Sequence, residues 1–446
     1  MRLNYKNTFL VGLAFLAICA FWQMYDNVIP LILTKTFHMN ETVSGFIMAV
    51  DNILALFLLP LFGKLSDITR TKIGKRMPYI IFGTIGSIII LNFLPVIDNG
   101  YSEGLKGAFY SVTSFIVFLG ILLVIMSVWR SPAVALMPDI TPKPLRSKGN
   151  AIINLMGALG GIIYLVFAAL LYPGRSDEGT EHVDYRPLFV VISIIMVIAL
   201  IIMLFTVNEP RLSADNEDIE KRHPEWDLTE TGAKGNAKLP RPVMRSMVFL
   251  LLSIMLWYIS YNAVTTWFTT YISVIMGKGI GGASTCFMIA SGGALISYIP
   301  LGFLQSKIGR KKSILFGTLL LAASFLICCP LTTLIKSITV VTYAVFALVG
   351  VAWAAISINS LPMVVEMCKG SDSGKFTGYY YTASMAGQIL TPVLCGTLMR
   401  HIDYRILFIY ATLFAFASFV TMLQVKHGDI KGTVKRGLEA FEDLDQ

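Results

Sequence analysis

Apolar runs of membrane-spanning length recur from one end of this 446-residue chain to the other. A helix needs about 20 predominantly apolar residues to cross about 30 Å of hydrocarbon. The alternating ten-residue pattern of barrel strands is absent. Composition agrees, with 55% hydrophobic and 14% charged residues against roughly 25% charged in soluble domains. A soluble fold is excluded, and the chain reads as an all-α membrane protein. The first apolar run follows Met1-Arg-Leu-Asn-Tyr-Lys6. It is too long for a signal-peptide core and lacks a small-residue cleavage site, so it is expected to stay in the protein.

The runs predict twelve spans, at 8–34, 42–63, 77–97, 108–138, 149–172, 187–207, 245–275, 281–303, 313–332, 337–366, 375–398 and 404–425. Most of the 36 Lys and Arg residues fall in connections on one side of these spans. Basic loops favour the cytoplasm, so both termini are expected inside a cell (inner or plasma) membrane. The same asymmetry accounts for the net charge of +9 without any nucleic acid. Residues 208–244 form the one long polar insertion and read as a cytoplasmic linker between an N-terminal bundle (1–207) and a C-terminal bundle (245–425). Residues 426–446 form a cytoplasmic tail, in which Val434 to Leu444 is expected as a surface helix.

Three features occur twice in the same order. Trp129 and Pro138 are nine residues apart near the end of span four, as are Trp353 and Pro362 in span ten. Gly149 precedes Met156 by seven residues, and Gly378 precedes Met385 by seven. Loop 2/3 runs from Gly63 through Gly74 to Arg76, and loop 8/9 from Gly302 through Gly309 to Lys312. The chain therefore reads as a duplication, two pseudo-symmetric six-helix bundles. That is the plan of secondary transporters, whose solute sites lie near the bilayer midplane.

Gly63-x-Leu65-Ser66-Asp67 followed by Gly74-Lys75-Arg76, with a degenerate copy at 302–312, resembles the loop signature of the major facilitator superfamily. The spacing between Asp67 and Gly74, Pro78, and the stretch Pro132-x-x-Ala135-Leu136-x-x-Asp139 are similar to the glycoside-pentoside-hexuronide symporters and sucrose transporters of that superfamily. The resemblance implies solute transport by alternating access, with a sugar as the solute. One position departs from the melibiose-type members, which hold sodium with an acid ahead of the span-four proline and an acidic pair in span two. Here Arg130 replaces the first acid, and Asp51 has Ala55 one turn on. Proton coupling is thereby favoured over sodium.

Ionisable groups deep in a span are costly and read as functional. Three occur, Asp26, Asp51 and Arg130, and no histidine lies within a span. Asp51 is the expected proton carrier, its proton affinity set by whether Arg130 is near, with Asp26 beside the solute; a fixed Asp–Arg tie between helices is the structural alternative. Sugars offer hydroxyl edges and apolar faces, so amides, acids and aromatic plates are their expected partners. Trp22, Gln23, Asp26 and Asn27 in span one, Tyr261 and Asn262 in span seven, Trp353 and Asn359 in span ten and Gln388 in span eleven are the candidates, with Arg130. Asp67, Arg76, Asp139, Arg146 and Glu366, at basic helix ends, resemble the family's gating charges. Gly157, Gly160 and Gly161, and Gly292 with Gly293, fit close helix packing.

No HExxH, GxSxG or phosphate-binding loop occurs, so an enzyme or ATP-driven pump is not expected. The six cysteines have no metal-ligand spacing, and neither metal nor cofactor is called for. The expected partners are a small solute, a coupling cation and the bilayer, with the monomer as the functional unit. A drug exporter of the same superfamily and a transporter-like sensor are the remaining alternatives.

Overall fold

The computed structural model describes residues 4–101, 105–142, 145–172, 182–222, 240–334, 337–367 and 373–428. Among these, thirteen α-helices form: α1 (Tyr5–Leu31), α2 (Glu41–Ile68), α3 (Met77–Asn99), α4 (Leu105–Ile140), α5 (Arg146–Leu171), α6 (Arg186–Thr206), α7 (Glu209–Arg222), α8 (Arg241–Met276), α9 (Ile280–Ile308), α10 (Arg310–Leu334), α11 (Val340–Glu366), α12 (Ser373–His401) and α13 (Ile406–Leu423). Each of the twelve expected spans coincides with one of the long helices. Eleven described helices are long and apolar enough to cross a membrane. α12 is 29 residues long but carries a polar N-terminal half, with Tyr379, Tyr380, Tyr381 and Thr382 in succession.

Two compact units divide the chain. The first comprises Met1–His223 with Lys278–Ser284, the second Pro224–Gly277 with Thr285–Gln446. In the first unit α1 packs on α5 and α6, and α3 on α4 and α6; in the second α8 packs on α12 and α13, and α10 on α11 and α13. Shifting the first set by seven helices gives the second, so the duplicated sequence signals belong to duplicated packing.

The connections are shorter than the sequence suggests. α2 runs on through Gly63–Asp67 to Ile68, so Asp67 sits on a helical turn rather than in a loop. α9 likewise runs to Ile308, which leaves Gly309 alone between it and α10. Gly74 and Gly309, matched in the duplication, both have positive φ (116° and 90°). Reversing the chain this tightly requires a conformation that a side chain disfavours. A second difference lies at 208–244, where the polar linker contains the helix α7, packed on α4. Its charged residues favour a solvated helix, with Glu217 and Lys221 paired one turn apart at 2.8 Å. The expected tail helix at Val434–Leu444 lies outside the described residues.

Helices without water between them approach by van der Waals contact, and small residues set how closely. Gly160 on α5 lies against the Leu16 carbonyl of α1, and Gly293 on α9 against the Ala347 carbonyl of α11. Gly157 meets the Cys19 sulfur. Gly292 has open space around it, so its expected packing role is not met. Substitution Gly160→Ala would drive a methyl into backbone that cannot yield, and overpacking of this kind costs about 1–3 kcal/mol. Thermal unfolding in detergent is expected to show a lower Tm for Gly160→Ala. Gly292→Ala is expected to be neutral or slightly stabilising, because alanine favours the helix by roughly 1 kcal/mol.

Candidate functional site

In the first unit three charged residues deep in spans act on one another, and one of them sits over an aromatic ring. Trp22, Gln23 and Asp26 are half-buried on α1, and Asp51 and Arg130 half-buried on α2 and α4. The Arg130 guanidinium lies over the Trp22 ring, 5.1 Å from its centroid, a cation–π contact. Asp26, Asp51 and Arg130 act on one another electrostatically. Among the described residues no carboxylate lies within 4.0 Å ion-pairing distance of Arg130. The direct partner of Asp51 is its neighbour, Asn52, whose Nδ2 donates to Oδ1 at 2.8 Å.

Three details of α1 follow from its sequence. Pro30 has no N–H, so the helical bond that the Asp26 carbonyl would accept four residues earlier cannot form. Two residues later α1 widens into a π segment, Ile32–Thr36, of the kind often found at functional positions. The indole N–H of Trp22 and the hydroxyl of Tyr25 are buried without hydrogen-bond partners. Asn27, by contrast, is fully buried and donates to the Gln23 carbonyl at 2.6 Å. One of its amide N–H groups is thereby held by its own helix.

The second unit carries rings and neutral polar groups instead. Tyr261 on α8 stacks on Trp353 of α11 with centroids 4.0 Å apart and planes 16° apart. Tyr258 meets the same indole edge-on at 5.6 Å. The Tyr258 and Tyr380 hydroxyls lie 3.4 Å apart, and Ser360 Oγ is 3.2 Å from Tyr380. Asn359 donates Nδ2 to the Ala355 carbonyl at 2.8 Å while its Oδ1 is buried without a partner. Gln388 is engaged through its backbone, because Pro392 denies its carbonyl the usual helical donor and Asn262 Nδ2 approaches it at 3.4 Å instead. The proline four residues on was the signal for this in both α1 and α12.

A third node sits at the start of α3. Arg76 is 4% exposed and its guanidinium reaches two helices. It donates to the Gly63 carbonyl (3.3 Å), to Ser66 and to Asp67 on α2, and through Nε to Asp139 on α4 at 2.8 Å. Lys75 adds an ion pair to Asp139 at 3.1 Å. Glu209, 1% exposed at the start of α7, accepts from the backbone N–H groups of Lys75, Arg76 and Met77 at 2.8–3.1 Å. A carboxylate there satisfies donors that a helix N-terminus leaves open. Sequence reading missed Glu209; an acid just after span six, at the head of the linker, was the available signal. Asp139 is held by Arg76 and Lys75. The side chains of Arg146 and Glu366 lie outside the described residues.

The model of the family described as "Major Facilitator Superfamily" matches residues 11–297 and 277–441. The chain belongs to this superfamily. It is a multi-pass membrane transporter, not an enzyme. Its fold is similar to that of the xylose transporter XylE from E. coli in an inward-open conformation, with a TM-score of 0.67, 14% identity, and 99% of this chain and 98% of that chain covered. It is similar also to the nucleoside transporter NupG, with a TM-score of 0.66, 14% identity, and coverage of 95% and 100%. At such identity the likeness is one of fold. A curated relative, the isoprimeverose transporter of Lactiplantibacillus pentosus, is 26% identical over 176 residues. That match spans 39% of this transporter and only 36% of the relative's length.

The Glu209 cap yields a direct test. Glutamine keeps one acceptor oxygen but turns an amide N–H₂ towards backbone donors. Hydrogen bonds to a charged group contribute about 1.5–3 kcal/mol each, so Glu209→Gln and Glu209→Ala are both expected to lower the Tm of the purified transporter. Asp218→Asn, at an exposed position of α7, is expected to leave it unchanged.

Proposed function

We propose that this facilitator is a secondary active transporter that couples a glycoside or other small sugar to protons by alternating access. The observation that carries this reading is the grouping of Asp26, Asp51 and Arg130 about Trp22. A ring whose face holds a cation and whose N–H has no protein partner offers a sugar both a plate and a donor. Asp26 beside it is an acceptor for hydroxyls, and Gln23 lies on the same stretch of helix. Tyr261, Asn262, Trp353, Asn359 and Gln388 are further proposed solute contacts, with the stacked Tyr261–Trp353 pair as a second plate. Asn27, one of whose amide N–H groups bonds the Gln23 carbonyl, is a further proposed solute contact beside Asp26.

Proton coupling follows from charge. Sodium prefers a cage of oxygen ligands, and a guanidinium within reach of both acids opposes a second cation there. A proton makes a different demand. Asp51 neutralised by H+ needs no cage, and its affinity for the proton changes when Arg130 moves nearer or farther, which links occupancy to conformation. Asp67, Arg76 and Asp139 are proposed as gating charges, with Arg146 and Glu366 beside them. The 26%-identical isoprimeverose transporter supports a sugar as solute. The basic connections support a cell-membrane location with both termini cytoplasmic, and the monomer is proposed as the working unit.

Uptake of a panel of labelled glycosides into proteoliposomes, with an inward proton gradient and no sodium, tests solute and ion together. Wild type is expected to concentrate at least one sugar. Asp51→Asn is expected to retain exchange at equal concentrations but lose gradient-driven accumulation. Trp22→Ala is expected to weaken solute binding on the order of tenfold, the scale of one cation–π or stacking contact, and Asp26→Asn to abolish it. A sodium requirement in wild type, or undiminished pH-driven accumulation by Asp51→Asn, would move the coupling site elsewhere.

A further inference from the structure

At the end of α3 remote from Met77, a second polar cluster lies wholly within the first unit and takes no part in the proposed transport site. Asp98 is 1% exposed, and neither of its carboxylate oxygens has a hydrogen-bond partner. Thr36, at the end of the π segment, lies beside it. The Thr36 hydroxyl also meets His182 Nδ1, at a long 3.5 Å. His182 Nε2 lies 2.8 Å from Asn99 Oδ1, and Asn99 Nδ2 donates to Asp184 Oδ1 at 2.6 Å.

The direction of each bond can be worked out. An ionised Asp184 only accepts, so Asn99 turns its N–H₂ to Asp184 and its carbonyl to His182. His182 Nε2 must therefore carry hydrogen. In the neutral ring Nδ1 is then the acceptor, the Thr36 hydroxyl donates to it, and no hydrogen is left for Asp98. In the imidazolium both nitrogens donate. Nδ1–H now points at Thr36 Oγ1, and the Thr36 hydrogen is released towards Asp98.

We propose that Thr36, Asp98, Asn99 and His182 form a proton-binding clasp: a proton taken from solvent at His182 Nδ1 reverses the bond to Thr36, whose hydroxyl then donates to Asp98. One proton enters and no covalent bond to carbon changes. The result joins the end of α1, the end of α3 and the segment leading into α6 while placing a positive ring beside two carboxylates. Histidine is the side chain whose charge changes between about pH 5 and 8, and His182 is exposed to solvent. The other ionisable neighbours are accounted for. Lys35 and Arg186 are exposed, on the turn of Thr36 and at the start of α6 respectively, and the Arg186 backbone N–H donates to Asp184 Oδ1 at 2.8 Å. Tyr172, just past α5, donates to the Asp184 carbonyl at 2.5 Å. Burial first, and Asp184 second, raise the Tyr172 phenol, so it remains a donor throughout. Exposed His38 packs on Tyr101 at 6.5 Å between ring centroids, away from these bonds. In the orientation proposed above this end faces the exterior, and the clasp reads external pH.

The test is a double-mutant cycle on the full chain in nanodiscs, with His182→Gln and Asp98→Asn, read as Tm at about pH 5.5 and about pH 8. At the lower pH each single variant is expected to lower Tm, with a non-additive coupling of roughly 2 °C or more in the double variant. At the higher pH the cycle is expected to be additive, with Asp98→Asn no less stable than wild type. Thr36→Val is expected to remove the low-pH coupling, Thr36→Ser to keep it, and His38→Gln to leave it unchanged. Equal coupling at both pH values, no coupling at the lower one, or coupling that survives Thr36→Val would overturn the proposal. None of these readouts depends on solute or transport, so the clasp stands or falls separately from the proposed function.

Discussion

Hydrocarbon offers no hydrogen bonds to a backbone, and the rest of this structure depends on that constraint. Every spanning segment must satisfy its own N–H and C=O groups, which leaves the helix as the element available to long apolar runs. Departures from the helix are then costly and fall where something else benefits. Pro30 removes the bond to the Asp26 carbonyl and is followed by the π segment Ile32–Thr36. Pro392 removes the bond to the Gln388 carbonyl, which Asn262 approaches instead. In both units a proline lies one helical turn beyond a candidate solute residue.

The same solvent makes charge expensive, and the two units handle it differently. Four helix contacts of the first correspond to four of the second, yet Asp26, Asp51 and Arg130, the charged residues deep in spans, lie in the first, with Arg130 over Trp22. The second unit answers with a stacked tyrosine and tryptophan and a set of hydroxyls. Duplication preserved close contacts, such as Gly160 against the Leu16 carbonyl of α1 and Gly387 against the Met255 carbonyl of α8, and the tight turns, and let the polar chemistry diverge. At the helix ends, where water is near, charges can be used as fasteners. Arg76 and Glu209 show this, one through side chains from α2 and α4, the other through the first N–H groups of α3.

The sequence by itself determined the helical class, the twelve spans and the duplication, because hydropathy over a span and the repeated Trp–Pro and Gly–Met spacings are local signals that packing does not alter. It also named the three charges deep in spans, since any ionisable residue in such a run stands out. What only tertiary structure decided is which groups meet. The cation–π contact of Arg130 with Trp22 joins residues on α4 and α1, and no spacing encodes it. Glu209 was hidden in a linker read as polar, because its partners are backbone N–H groups more than a hundred residues away. The lengths of α2 and α9 were misjudged for a related reason: hydropathy ends where the apolar residues end, whereas a helix continues until its hydrogen bonds do, and here glycines with positive φ follow that end. Local composition is enough to say what must be buried, but the partner of each buried polar group is a property of the packed helices.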